Sequence, residues 1–373
     1  MNERCWLADP LSVDVTRVVA RLRRAEDVQH IAIMPDVHLA NEVCVGMVVA
    51  TTHVLFPAAV GSDIGCGMAA LRFDRAASTL ADGALAAKLL DGLERAVPKR
   101  RWSRKAAPAM PDELGTGSLS HSHLESIRDG DGRLELATLG SGNHFVELQA
   151  DEEDALWLML HSGSRCMGPA IRHHHEIAAA RSCSGLVYLE VDSPDGQAYL
   201  ADVAWASRYA AASRQHMVER VAALLEETIQ AHAIQESFFS CEHNHVRREL
   251  HGGKELWVHR KGAIHAGAGE PGIVPGSMGT PSFHVQGRGN PESLCSSSHG
   301  AGRSMSRSEA RRAVSARRLA DEMDGIWYDH RLGSGLRDEA PSAYRDIGKV
   351  MRAQRDLVRI VRRLRPVLSF KGV

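Results

Sequence analysis

Nothing in this sequence of 373 residues is apolar over the length a membrane crossing requires, and the opening Met1-Asn2-Glu3-Arg4-Cys5-Trp6 has no apolar signal core. The seven cysteines fall at irregular spacings and do not form a disulfide framework. These two absences lead us to expect a reduced, cytoplasmic protein with no membrane partner. Excess charge is missing as well: the formal net charge is −1, so no global field draws in a polyanion. A P-loop is absent, which excludes the commonest glycine-rich phosphate cradle. No internal repeat of solenoid period occurs, which excludes stacked-repeat architectures.

An ordinary globular balance is present, with 44% hydrophobic and 24% charged residues. The length suffices for a large core, and no composition shift marks a boundary, so a single domain over 1–373 is expected. Basic side chains outnumber acidic ones from Gly300 onward, and 20 histidines stand out, several beside Gly, Asn or Ser.

Periodicity predicts an α+β chain. Helices are expected over Asp14–Arg24, Ala76–Arg95, 169–181, Asp202–Ala233, Ser306–Met323 (from the capping box Ser306-Arg307-Ser308-Glu309) and Asp346–Arg365. Strands are expected at Ile31–Met34, Val43–Ala50, Val54–Val60, Gly65–Phe73, Asp154–Leu160 and Glu255–His259, with a glycine turn running into a strand over Thr138–Leu148. The stretch from Lys99 to Arg133 reads as a polar loop or insertion. Residues 262–302 read as loop and strand lining a site.

The turn Gly61-Ser62-Asp63-Ile64-Gly65-Cys66-Gly67-Met68 organises the rest. A carboxylate and a thiol three residues apart, separated by glycine, can both ligate a borderline divalent ion, and a thiolate can bridge two ions. Taken alone, the octet is more simply read as a buried cysteine in a glycine turn that Asp63 caps. His144, His161 and His243, each at a strand end or glycine turn, change that balance. With Asp63 and Cys66 they make a donor set suited to Mn, Zn or Fe rather than Mg or Ca. A second element, Cys295 to Arg307, surrounds His299 with small residues and leaves backbone N–H groups and Arg303 free to meet phosphate oxygens. Three adjacent histidines, His173-His174-His175, point in different directions on a helix and are expected at the surface. The arginine-rich runs after Ser306 are expected to be solvated helix faces.

These motifs, in order, resemble the RtcB family of GTP-dependent RNA ligases over nearly the whole length. The matching segments are Met34-Pro35-Asp36-Val37-His38, Asp63 to Met68, Gly140 to Phe145, His161-Ser162-Gly163-Ser164-Arg165, His243-Asn244, His259 to Ala263, Pro275 to Thr280, His299 to Arg303, Asp338-Glu339-Ala340-Pro341 and Lys371-Gly372. The resemblance implies the family's α+β fold with a deep metal cleft. It implies two Mn ions bridged by Cys66, one completed by Asp63 and His144 and the other by His161 and His243. His299 would be the nucleophile that becomes guanylylated by GTP. The guanine nucleotide would lie against Asn143, His144, Phe145, Val146, Glu147, His243, Asn244, Pro275, Gly276, Ser277, Met278, Ser282, His299, Gly300, Ala301, Gly302 and Lys371. Arg165 and Arg303 would clamp phosphates. The implied reaction joins an RNA 3′-phosphate or 2′,3′-cyclic phosphate end to a 5′-hydroxyl end.

Two departures accompany the resemblance. Ala40-Asn41-Glu42 stands where the family usually reads Gly-Lys-Gly, and Ser62 stands where Val is usual. Both look like the release factor H-coupled branch, which implies RNA repair and a release-factor-like partner. They bear on substrate choice more than on chemistry. Two other readings fit the residues: a metal-dependent phosphoesterase that opens RNA cyclic phosphates without ligation, and a non-catalytic RNA-binding paralogue.

Overall fold

A computed structural model describes residues 1–372. Helices and strands are mixed along the chain, as the periodicity implies for an α+β protein. Seven strands form the largest sheet, in the order Ala233–Glu242, Gly67–Ala76, Ala155–Ser162, Phe145–Ala150, Val358–Lys371, Ser282–Gly287 and Pro271–Val274, every neighbouring pair antiparallel. The two edge strands, Ala233–Glu242 and Pro271–Val274, approach each other, so the sheet curls into a nearly closed barrel. Period-two alternation serves two cores. Along Gly67–Ala76, Ala69, Leu71 and Phe73 pack with Leu148 and Leu158, whereas Met68 and Ala70 pack with Phe145, Trp157 and Met159 on the other face.

A second sheet has the order Asn2–Cys5, His30–His38, Val45–Thr51, Lys254–Lys261 and Asn244–His251, parallel only in its first pair. A two-stranded ribbon of Ala263–His265 and Ser296–Ser298 links the halves and ends at His299. The 36-residue helix Pro194–Ile229 spans about 54 Å. It is started by the Ser193 side chain accepting from Gly196 N–H and is stopped by Gln230 in the left-handed region, φ 54°. Its C-terminal half (Met217, Val221, Leu225) lies on the barrel core. Its N-terminal half (Tyr199, Val203, Trp205, Tyr209) packs with Leu114, Leu119 and Leu124.

Those three leucines correct the sequence reading of 99–133. The segment is polar on average, but it folds into the short helices Asp112–Gly115 and Ser122–Ile127, whose few apolar residues are all used in the core. The expected strand at Val54–Val60 is a strand only at Val54–Leu55, because Pro57 starts a 3-10 turn. The helix expected from Ala76 begins at Gly83, where Asp82 caps it, after a separate 3-10 turn. The long helix starts before Asp202 and ends before Ala233, because Ala233–Glu242 is claimed by the sheet. The capping box at Ser306 forms as read, but its helix stops at Ala313 and a second begins at Ala316.

The largest correction concerns Asp346–Arg365. Only Ile347–Ala353 is helical, and Val358–Lys371 is a 14-residue strand. Val358, Ile360 and Val361 are β-branched and Pro366 cannot continue a helix, while strands on both sides supply a ladder. Arg359, Arg362 and Arg363 therefore sit on a sheet, not on a helix face. The histidine run is corrected too. His173 is exposed, but His175 is buried with Nε2 2.7 Å from Asp202 Oδ2. The same carboxylate accepts from Ser120 N–H at 2.9 Å and Ser120 Oγ–H at 2.5 Å, tying the 99–133 segment to the helices Met167–Ala178 and Pro194–Ile229. Asp202→Ala leaves the buried His175 ring without its carboxylate partner and is expected to lower stability by about 3 kcal/mol, measured by denaturant unfolding.

Candidate active site

The sequence brings its chemistry to the ends of barrel strands. Asp63 and Cys66 lie on the turn entering Gly67–Ala76, His144 on the turn entering Phe145–Ala150, His161 near the end of Ala155–Ser162, and His243 between two strands. Their donor atoms form two clusters that share one sulfur: Asp63, Cys66 and His144, and Cys66, His161 and His243, each with all atoms within 4.8 Å of one another. Cys66 Sγ is 3.2 Å from His161 Nε2 and 3.6 Å from His144 Nε2. Asp63 Oδ2 is 3.0 Å from His144 Nε2, and His161 Nε2 is 3.4 Å from His243 Nε2.

Backbone carbonyls fix which imidazole nitrogen is available. His144 Nδ1–H donates to Leu139 O at 2.8 Å and His161 Nδ1–H to Asn143 O at 3.1 Å, so each Nε2 presents a lone pair to the cluster. Burial holds the His161 and His243 rings well below the usual imidazole range, in the neutral ligating form. Burial, followed by the Asp63 carboxylate, pushes the Cys66 thiol up. Burial is the largest influence on Asp63 and opposes its ionisation, but the His144 hydrogen bond and charge, the Cys66 hydrogen bond and the His161 charge together outweigh it and hold that carboxyl well below its ordinary range. Nearly bare, inward-facing donors of mixed softness suit borderline divalent cations, and the residues fit two of them sharing Cys66. Gly163 makes the approach possible, because a β-carbon there would overlap the Asp63 carboxylate.

One residue not selected from the sequence frames this cluster. Arg214, buried on the long helix, donates from Nη1 to Gly65 O at 2.7 Å and Ser162 O at 3.0 Å, joining the Asp63–Cys66 turn to the end of the His161 strand. Its signal was an arginine among the core positions Ala210, Met217 and Val218. Asn244, expected against the nucleotide, braces the same turn. It donates from Nδ2 to Asp63 O at 2.9 Å and accepts from Gly262 N–H at 2.8 Å.

The clusters open into a cavity of about 340 Å³. His299 stands in its wall, the ring 4.7 Å from that of His243. Asp36, fully buried at the end of His30–His38, accepts from His299 Nδ1–H at 2.6 Å. This bond leaves His299 Nε2 as the free nitrogen. Asp36 was visible only as part of a motif, because nothing in the sequence pairs it with a residue 263 positions away. Gly262, φ +63°, passes so close that a β-carbon would lie 3.0 Å from the His299 ring.

Asn143, Phe145, Glu147, His243, Asn244, Pro275, Gly276, Ser277, Met278, Ser282, His299, Gly300, Ala301, Gly302, Arg303 and Lys371 all line the cavity. Val146 faces the opposite side of the sheet, in the barrel core. His144 stands behind the cavity wall as a cluster donor. Arg165 lies away from the cavity, with Nε donating to Thr138 Oγ1 at 3.1 Å. Glu147 is buried between Gln149 and Ser369, and burial lifts its carboxyl to about 7 against the pull of Lys371.

A buried carboxylate organises the far end. Glu339 accepts from Arg303 at 3.1 Å, Arg307 at 2.6 Å, Lys371 at 2.7 Å and Tyr344 O–H at 2.7 Å. Burial opposes its charge, but Lys371 and Arg307 outweigh it and hold the carboxyl at about 2. The two departures noted above meet at one guanidinium. Arg172 pairs with Glu42 and donates to Ser62 Oγ at 3.4 Å, beside the cavity wall at Gly61 and Ser62.

Two donor clusters sharing a thiolate position, with a carboxylate-oriented imidazole beside them in one cavity, define a candidate two-metal enzyme site with a nitrogen nucleophile. The family described as tRNA-splicing ligase RtcB matches residues 17–372, and the chain belongs to that family. It is 39% identical to RNA-splicing ligase RtcB of Escherichia coli K12, over 92% of this chain and 90% of that one. It is 31% identical to RNA-splicing ligase RtcB of Mycobacterium tuberculosis (91% and 96% covered) and 30% identical to tRNA-splicing ligase RtcB of Archaeoglobus fulgidus (91% and 87% covered). No helix among the described residues is long and apolar enough to cross a membrane.

The shared sulfur makes a metal-counting prediction. With one divalent cation expected per cluster, His144→Ala and His243→Ala should each lower the Mn taken up on loading by one equivalent, whereas Cys66→Ala should abolish both. Elemental analysis of purified, metal-loaded protein reads the stoichiometry.

Proposed function

We propose that this chain is an RNA ligase that joins a 3′-phosphate or 2′,3′-cyclic phosphate end to a 5′-hydroxyl end, using GTP, two Mn ions and a guanylylated His299. The observation that carries this reading is the His299–Asp36 pair beside the two donor clusters. A phosphoesterase that only opened cyclic phosphates would need the clusters but not a buried, carboxylate-held imidazole.

His299 Nε2 attacks the α-phosphorus of GTP. A nitrogen–phosphorus bond forms, the bond to the β-phosphate oxygen breaks, and pyrophosphate leaves. Asp36 keeps the Nδ1 proton in place and stabilises the ring as it becomes positive. An RNA 3′-phosphate oxygen then takes the GMP from His299, restoring the imidazole. The RNA 5′-hydroxyl attacks that activated phosphorus, loses its proton, and GMP departs. A cyclic phosphate is first opened by water to the 3′-phosphate. Asp63, Cys66, His144, His161 and His243 would hold the Mn ions, which supply charge neutralisation at the transferring phosphoryl group. Arg303, already fixed by Glu339, faces the cavity as a phosphate partner, and we keep Arg165 as a more remote one. In its ionised form Glu147 accepts from the N1–H and N2–H edge of guanine, with Lys371 and Phe145 beside it.

The compartment we assign is the cytoplasm, in keeping with seven free cysteines, and the role RNA repair alongside a release-factor-like protein. Glu42 and Ser62, both on Arg172 at the cavity edge, bear on which RNA is accepted.

Incubation with α-labelled GTP and Mn, followed by a denaturing gel, tests the central step. Wild type should carry label and His299→Ala none. Asp36→Asn should label about 10²–10⁴-fold more slowly with its fold intact. Absence of label from folded, Mn-loaded wild type sinks the ligase reading in favour of the phosphoesterase. Glu147→Gln should narrow the preference for GTP over ATP by about 10- to 100-fold, the worth of one charged hydrogen bond, as measured by competition in the same assay.

A further inference from the structure

The segment Lys99-Arg100-Arg101-Trp102-Ser103-Arg104-Lys105 holds five cations in seven residues, in a chain whose formal net charge is −1. The described fold gives it no catalytic part. Its position is specific. Leu139 N–H donates to Pro98 O and Gly140 N–H to Lys99 O, both at 3.0 Å, so this segment is bound edge to edge with the turn that leads to Asn143 on the cavity wall. Lys99 Nζ lies 5.3 Å from the ring of Phe370, the neighbour of Lys371. Three residues of extended chain reach about 10 Å, so Lys99 is within about that distance of the cavity rim.

The segment is also held rigidly. Trp102 is buried, its N–H donates to Leu134 O and its Nε1–H to Leu136 O, both at 2.9 Å, and the Arg220 guanidinium covers its ring at 4.5 Å. Lys99 and Arg101 have acidic partners, Glu94 and Asp131 at 3.1 Å each. Arg100, Arg104 and Lys105 are exposed and form no ion pair among the described residues. The pinned backbone lowers the cost of presenting three uncompensated cations to a polyanion, and they repel one another without it. Arg307 stands on the other side of the same turn, 3.3 Å from where a β-carbon of Gly142 would be.

We propose that Arg100, Arg104 and Lys105 form a phosphate track for the RNA strand that leaves the cavity over the Gly140–Asn143 turn. This deepens the ligase reading and rests on it for the identity of the polyanion. The track meets backbone phosphates, so it contributes affinity and register without base preference. It lies outside the residues that hold metal or nucleotide.

Binding of a 20-nucleotide single-stranded RNA with a 3′-phosphate, measured across salt concentrations, tests it. Alanine at all three positions should weaken binding and reduce the slope of log K against log salt by about 2, roughly 0.7 for each phosphate no longer neutralised. Lysine at Arg100 and Arg104 should preserve the slope. Labelling by GTP should be unchanged in both, which shows the site to be folded and separates this proposal from the ligase reading. An unchanged RNA slope in the triple variant overturns the track. So does a loss confined to anionic phosphatidylserine vesicles, which would assign the strip to a membrane surface. If wild type takes no label yet the triple variant loses RNA slope, the ligase reading falls and the track stands.

Discussion

One constraint governs this structure: several imidazoles share a buried site, and each must carry its proton on the nitrogen that faces away from it. Two of these protons are placed by a single stretch of backbone. The turn between Thr138 and His144 supplies Leu139 O to His144 and Asn143 O to His161. Its glycines, Gly140 at φ 91° and Gly142 at φ 81°, let the carbonyls point inward, which residues with a β-carbon rarely permit. Asp36 does the same for His299 from the other sheet. The barrel, the second sheet and the ribbon ending at His299 are arranged so that these three acceptors converge. Neutral imidazoles can then be buried together at modest cost, where imidazolium rings could not.

How much of this was legible follows from how local each signal is. Asp63 and Cys66 could be read because both are on one turn with the glycines it needs. His144, His161 and His243 could be read because each stands at a strand end or in a glycine turn. Asp36, Arg214 and Glu339 could not be given roles, because their function lies in partners far along the chain: His299 for Asp36, Gly65 O and Ser162 O for Arg214, and Arg303, Arg307 and Lys371 for Glu339. The α+β class was legible from alternation and periodicity. The 346–365 segment misled because Ile347, Val350 and Met351 have true helical spacing, and the eye continues it into Leu357 and Val361. Only the flanking strands Phe145–Ala150 and Ser282–Gly287 make the second half a strand, and no sequence window contains them. The 99–133 segment misled in the opposite sense, since its apolar residues are few but every one of Leu114, Leu119 and Leu124 is used.

The two ends of the cavity solve opposite electrostatic problems. At one end, the Asp63 carboxylate and the Cys66 thiol share a buried cluster in which burial and the neighbouring carboxylate oppose ionisation of the thiol, so that an entering divalent cation would favour its deprotonation. At the other, Arg303, Arg307 and Lys371 would repel one another in a low-dielectric wall, and Glu339 gathers them through its two oxygens. One carboxylate cannot neutralise three cations, although Asp338 also receives Arg307 and Arg311. The surplus positive charge faces the cavity. A ligand with phosphates in its middle would therefore meet guanidinium and ammonium groups on one side and the donor clusters, which would hold metal, on the other, with the His299 imidazole in the same cavity wall. In the proposed reaction, attack on a phosphorus atom needs positive charge around the phosphates and a lone pair on His299 Nε2, the nitrogen that the Asp36 bond leaves free. A positive nucleophile would have no lone pair, and an uncompensated phosphate would repel any electron-rich atom that approached it.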